Sequence, residues 1–147
     1  MIYLGSDHAG FELKEFIKGV LEKEGHITKD LGAYSYAKDD DYPDYIFPVV
    51  KAVSQDTDSL GIIFGGSGQG EAITANSIQH VRAAVFYGGP LDIVRLSKEH
   101  NNANVLSLGA RFISKRKAKA AVTLWLDTKF SNEERHVRRL KKEDEIV

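Results

Sequence analysis

The sequence predicts a three-layer α/β/α domain, Rossmann-like, built on a five-stranded parallel sheet, with one further helix at the carboxyl terminus. Three observations predict it. Short apolar runs alternate with amphipathic, helix-length stretches along nearly the whole chain. Strands separated by helices must run parallel with right-handed crossovers, which gives an open, doubly wound sheet. The run "SLGIIFGG" at 59–66 is apolar without alternation, as in a strand covered on both faces.

The elements follow in order. "MIYLGS" is the first strand, ending at Gly5. "AGFELKEFIKGVLEKEG" then places Phe11, Phe16, Ile17, Val20 and Leu21 near one helical face before Gly25 stops the helix. "HITKDLG" reads as the second strand, "AYSYAKDDDYPDY" as a polar loop, and residues 45–54 as a helix. After "SLGIIFGG" the pattern repeats: "GEAITANS" helix, "VRAAVFYG" strand, "GPLDIVRLSKEHN" helix, "NVLSLGA" strand, "SKRKAKAAVTLWLDT" helix. The tail, 130–147, differs in kind. "SNEERHVRRLKKEDEIV" is polar on nearly every face, with Ser131 or Asn132 as the expected cap of a last helix. So little apolar surface gives that helix no reason to cover its own core. It reads either as a solvated charged helix or as one that docks on a partner subunit, with Arg135 and Arg139 sharing a face.

Composition narrows the function classes. At 147 residues, with 42% hydrophobic and 28% charged, the chain fits one domain spanning 1–147 with a sizeable core. The formal net charge is −1, so no global basic field argues for nucleic acid, and an anion site must be built locally. There is no cysteine, which excludes disulfides, thiolate metal sites and a catalytic thiol. Asp7 arrives too early for the apolar core of a signal peptide, and no run approaches the ~20 apolar residues of a membrane span. The expectation is a cytoplasmic protein without membrane partners.

In a parallel sheet, ligands bind outside the carboxyl ends of the strands. That edge gathers Asp7 and His8, the loop "GGSGQGE", residues 87–90, and residues 109–111. His100 and Asn101 close the helix before the fifth strand and belong to the opposite edge, so only a neighbouring subunit brings them to the same site.

The glycine loop fails the nucleotide motifs it superficially matches. Gly65 and Gly70 have P-loop spacing, but Glu71 and Ala72 stand where Lys and Ser/Thr are required. In the dinucleotide pattern led by Gly66 and Gly68, the third glycine is Glu71. A nucleophile elbow around Ser67 needs glycine at 69, which is Gln69. What remains is a set of backbone amides at a helix start, suited to an oxyanion, with a carboxylate one step inside the helix. Glu71 is then either an ordinary first-turn acid favoured by the helix dipole or a general base. For the second role, burial against the ligand must raise a pKa that the dipole and amides lower.

Five stretches, in order and spanning nearly the whole chain, resemble the ribose-5-phosphate isomerase B family, which also contains allose-6-phosphate and galactose-6-phosphate isomerases. They are "GSDHAGFELK", "DYPDY", "GGSGQGEAITAN", "RLSKEHNNANVLSLGAR" and "ERHVRRL". The resemblance implies an aldose–ketose isomerase that needs no metal or cofactor, works through a cis-enediolate, and shares its sites across a homodimer or a dimer of such dimers. One branch of the family has its catalytic cysteine where this chain has Gly65; the other has glycine there and a glutamate matching Glu71. On that match Glu71 shuttles the proton between C2 and C1, while the amides of Gly66, Ser67, Gly68, Gln69 and Gly70 and the Ser67 hydroxyl hold the enediolate oxygens. Asp7 contacts the sugar hydroxyls, His100 assists ring opening as a proton donor, and Asn101 bonds the intermediate. His8, Arg111, Arg135 and Arg139 grip the phosphate, some from the second chain, and Tyr42 shapes the sugar pocket. Two departures stand out: Ser77 replaces a lysine found in many relatives, and "FYGGPLD" differs from theirs. Isomerisation of ribose 5-phosphate is the expected activity. A six-carbon phosphosugar isomerase, separated by pocket depth around Tyr42 and Tyr87, and a non-catalytic phosphosugar-binding regulator are the alternatives.

Overall fold

The computed structural model describes residues 1–146. Five parallel strands, β1 (Ile2–Ser6), β2 (Thr28–Asp30), β3 (Leu60–Gly65), β4 (Ala83–Phe86) and β5 (Val105–Gly109), lie in the order β2-β1-β3-β5-β4. They alternate with helices α1 (His8–Lys23), α2 (Pro43–Gln55), α3 (Gln69–Asn76) and α4 (Asp92–Glu99), and are followed by α5 (Lys115–Asp127) and α6 (Glu134–Ile146). The predicted three-layer architecture is therefore observed, with β5 inserted between β3 and β4 so that β4 forms one edge of the sheet.

Alternation along the central strands divides the core in two. Ile62 and Phe64 of β3 and Leu106 and Leu108 of β5 pack with Leu13, Ile17 and Leu21 of α1, Val94 of α4 and Trp125 of α5. Ile63 and Val105, pointing the other way, meet Ile46, Val49, Val50 and Val53 of α2 and Ala75 of α3. Helix α2 starts two residues before the expected Tyr45, because Pro43 occupies a first-turn position that loses no hydrogen bond there.

Two local devices steady the sheet. Lys14 of α1, fully buried, donates to both carboxylate oxygens of Asp30 at the end of β2 (2.8 and 2.7 Å) and to the Ala33 carbonyl (2.7 Å). Burial opposes ionisation of Asp30, but hydrogen bonds from Lys14, Lys18 and the Gly32 amide outweigh it and hold the carboxyl below the ordinary carboxylate range. On the far side of the sheet, the Asn76 side chain accepts from the Ala83 amide (2.8 Å) and donates to the Ala83 carbonyl (3.1 Å), occupying both outward backbone groups of that residue on edge strand β4.

Helix α6 corrects one expectation. It rests on its own chain through His136 and Leu140, one turn apart and 4% and 7% exposed, and Asp144 reaches Arg82 at 3.3 Å. Ser131 acts just ahead of the helix, accepting from the Glu133 amide (3.2 Å) and meeting His136 Nδ1 at 2.9 Å; Asn132 makes no cap. Two buried side chains suffice to seat a helix whose other faces are polar. Residue 147, the end of the expected tail, lies outside the described residues. Among the described residues no helix is long and apolar enough to cross a membrane.

Candidate active site

At the carboxyl edge of the sheet, β1 delivers Asp7 and His8, β3 delivers Gly65 to Ser67, α3 opens with Gly70 and Glu71, the start of α2 adds Tyr42, and the turn after β5 adds Arg111. Together with Ala9 and without Gly65, these residues line a cavity of ≈ 270 Å³. The glycine loop is pinned from behind by β5 and the turn after it. The Ser107 hydroxyl donates to the Gly68 carbonyl (2.6 Å), and the amides of Ala110 and Arg111 donate to the carbonyls of Gly65 and Gly66 (2.8 and 3.0 Å). Gly68, just before α3, has φ +78°, a left-handed conformation that a side chain resists. The amides of Gly66, Ser67 and Gly70 find no acceptor among the described residues, so the loop offers unpaired donors at the cavity wall.

Glu71 is buried, 4% exposed, and forms no ion pair among the described residues. Its pKa is raised: burial is the main cause, its own backbone amide opposes, and the nearby Asp7 charge adds to the rise. This is the balance that a general base at a helix start requires. Position 65 explains where the carboxylate fits. A Cβ built on Gly65 would overlap both oxygens of the Glu71 carboxylate, so the acid occupies volume that any side chain at 65 would need.

The other polar groups are held in distinct ways. Asp7 caps α1, with Oδ1 accepting from the Gly10 amide at 3.1 Å. The Ser67 hydroxyl accepts from the Gln69 amide at 3.3 Å and keeps its own proton free to donate. The Arg111 guanidinium passes directly over Gly66 and has no carboxylate partner among the described residues. The Tyr42 ring lies against Gly70, where a Cβ would come within 2.7 Å of it. His8 is tied to a residue the sequence did not single out: its Nδ1 lies 2.7 Å from Asp40 Oδ1, which also accepts from the His8 amide at 3.0 Å. Donor atoms of Asp7, His8 and Asp40 fall within 4.8 Å of one another, the one grouping among the described residues with a metal-ligand set. Helix capping and the His8–Asp40 bond already engage Asp7 Oδ1, His8 Nδ1 and Asp40 Oδ1.

Some predicted residues lie elsewhere. Gln69 faces a neighbouring groove of ≈ 660 Å³ with Ile73, Val85 and Tyr87, so Tyr87 does not bound the Glu71 cavity. Gly68 turns its backbone toward Ser107 and Gly109. His100 and Asn101 follow α4 at the opposite edge, as its topology demands, and the His100 ring stacks 4.3 Å from that of His136 on α6. Arg135 and Arg139 lie on the same helix, and Arg135 bonds Glu133 at 3.0 Å. His136 is covered by close neighbours at the periphery of the molecule. That burial lowers its pKa, with the charges of His100, Arg135 and Arg139 adding to the effect and Glu133 opposing it.

The family model described as "Ribose/Galactose Isomerase" matches residues 2–142. The chain belongs to this family. Ribose-5-phosphate isomerase B of Mycolicibacterium paratuberculosis is 44% identical over 139 residues, covering 95% of this chain and 86% of the relative. A solved structure of ribose-5-phosphate isomerase B from Mycoplasma genitalium with bound ribulose-5-phosphate is similar at TM-score 0.94 and 34% identity, covering 99% of this chain and 94% of that one. The corresponding Thermotoga maritima enzyme gives TM-score 0.91 and 40% identity over 98% and 97%. As a ribose/galactose isomerase family member, the chain carries Asp7, Ser67, Glu71 and Arg111 around one cavity and His100, Arg135 and Arg139 away from it. Sequence reasoning passed over Asp40 because it sits inside the run Asp39–Asp41, read as a polar loop, and its partner is 32 residues away.

Proposed function

We propose that the chain interconverts ribose 5-phosphate and ribulose 5-phosphate through a cis-enediolate, with Glu71 as the base. The observation that carries this reading is the Glu71 carboxylate: buried, unpaired, raised in pKa, and set in the wall of a cavity that also exposes unpaired amides and a free guanidinium. On this reading the carboxylate takes the C2 proton of the open-chain aldose and returns it to C1 on the same face. The negative charge that develops on oxygen is met by the amides of Gly66, Ser67 and Gly70 and by the Ser67 hydroxyl, all fixed before the substrate arrives. Asp7 receives sugar hydroxyls. His8 and Arg111 face the phosphate, where a guanidinium gives two parallel donors to a dianion.

His100, Asn101, Arg135 and Arg139 complete the site from a second subunit on this reading. Their support is that one chain already brings His100 to the helix bearing both arginines, through the His100–His136 stack, so they form one unit that can be presented together. In such a homodimer each site combines the Glu71 edge of one subunit with the His100 edge of the other.

Glu71→Gln tests the base. It is expected to lower kcat by roughly 10³-fold or more, to stop solvent deuterium entering at C2 of ribose 5-phosphate, and to leave phosphosugar binding nearly unchanged. Retained exchange assigns the base elsewhere. Co-refolding equal amounts of Glu71→Gln and His100→Ala tests the shared site: the mixture regains about a quarter of wild-type activity if each site needs one edge from each subunit, because about half of the dimers are mixed and each of those has one intact site. Turnover of allose 6-phosphate beside ribose 5-phosphate fixes the sugar.

A further inference from the structure

We propose that Asp40 is the positioning residue of His8: it holds the Nδ1 proton and the ring plane, so that Nε2 is the nitrogen offered to the phosphate of the substrate. This rests on the reading of His8 and Arg111 as the phosphate end of the cavity.

Three observations carry it. First, one oxygen of Asp40 serves both ends of His8, taking the backbone amide at 3.0 Å and Nδ1 at 2.7 Å, so ring and backbone are fixed together at the first residue of α1. A carboxylate accepts and does not donate, so Nδ1 must carry the proton. Nε2 is then the uncommitted ring nitrogen of a residue that borders the cavity. Second, the Tyr36 ring stands edge-on to the imidazole at 6.0 Å, giving the ring a second neighbour from the same loop. Third, the Asp40 side chain is only 5% exposed, yet its Oδ2 has no hydrogen-bond partner among the described residues. Asp30, by contrast, uses both oxygens, on Lys14, Lys18 and the Gly32 amide. Asp40 spends its burial on His8 alone. When the ring carries both protons, Nδ1–H goes to Asp40 and Nε2–H to the phosphate, and the imidazolium bridges two anions.

Inorganic phosphate as a competitive inhibitor and ribose 5-phosphate as the substrate test the idea. Asp40→Ala is expected to raise the phosphate Ki and the sugar KM about tenfold, the loss of one charge-assisted hydrogen bond, with kcat within about twofold. Asp40→Asn, whose Oδ1 still accepts from both donors, is expected to keep most of the affinity. In a His8→Ala background, Asp40→Ala is expected to add nothing, because its partner is gone. A further loss of affinity in that background makes Asp40 a merely structural loop residue and overturns the proposal. So does an Asp40→Ala enzyme with unchanged Ki and KM while His8→Ala is weakened. If His8→Ala itself leaves the phosphate Ki unchanged, the phosphate reading of His8 fails and the proposal falls with it. Nitrogen-15 NMR of the unaltered protein gives a check free of folding effects: neutral His8 protonated at Nδ1 supports the assignment, and protonation at Nε2 overturns it.

Discussion

Lys14 and Glu71 are both charged residues buried on helices that follow a sheet strand, but their surroundings differ completely. Lys14 is fully buried and has oxygens of Asp30 and Ala33 around its ammonium within 2.8 Å. Glu71 is nearly as buried, and it forms no ion pair among the described residues; the Asp7 charge that acts on it has the same sign. A buried charge with all its partners has its desolvation offset, and a charge with none is a load on the fold. The pair teaches that burial alone does not mark a site, whereas burial without partners beside a cavity does.

Removing the Lys14 ammonium has the largest expected effect. Lys14→Met is expected to lower stability by about 3 kcal/mol, roughly 10 °C in Tm, because Asp30 stays buried with only Lys18 and the Gly32 amide. Calorimetry checks this, and activity per folded molecule is expected to persist. An unchanged Tm would mean that the Lys14 ion pair adds nothing beyond its packing. Since the Asp30 pKa is depressed in the fold, its contribution is present above the ordinary carboxylate range and lost as pH falls through the folded value.

The second change displaces Glu71 without removing it. Gly65→Ala puts a methyl group where the carboxylate lies, and a flexible side chain yields more easily than backbone does. Its expected cost is therefore in kcat/KM, about 10²-fold, with Tm nearly unmoved. A large drop in Tm with normal activity would show that the carboxylate stays and the sheet gives way. The smallest effect has the opposite sign to that of Lys14. Glu71→Gln removes a charge whose folded pKa is raised, so the variant is expected to melt slightly higher than the wild type at neutral pH. That advantage shrinks as pH falls through the raised pKa, where the native carboxyl becomes neutral by itself. The same shift places the acid limb of the wild-type pH–rate profile above the ordinary carboxylate range, which steady-state kinetics on ribose 5-phosphate can read.

Much of this was legible in the residues. The uninterrupted run around Ile62 to Phe64 announced a central strand, and the topological rule then put Asp7, Glu71 and Arg111 on one edge and His100 on the other. The sequence asked for burial of Glu71 against a ligand to overcome its helix dipole, whereas the fold alone already buries the carboxylate. Other features were not legible, for definite reasons. Strand order does not follow from alternation, so the insertion of β5 between β3 and β4 had no signal. The His8–Asp40 bond crosses a loop without periodicity. The seat of α6 depends on His136 and Leu140, and a stripe that narrow is invisible among the charges of "ERHVRRLKKEDE".

The amide of Asn76 has a consequence for how copies of this chain can meet. An edge strand is a template onto which another polypeptide can add itself, and four residues of β4 end the sheet on that side. At Ala83 the template is already read, donor and acceptor alike, by a side chain from the preceding helix. A single residue thus does the work of a short sixth strand. Growth of the sheet from molecule to molecule is thereby discouraged where β4 begins.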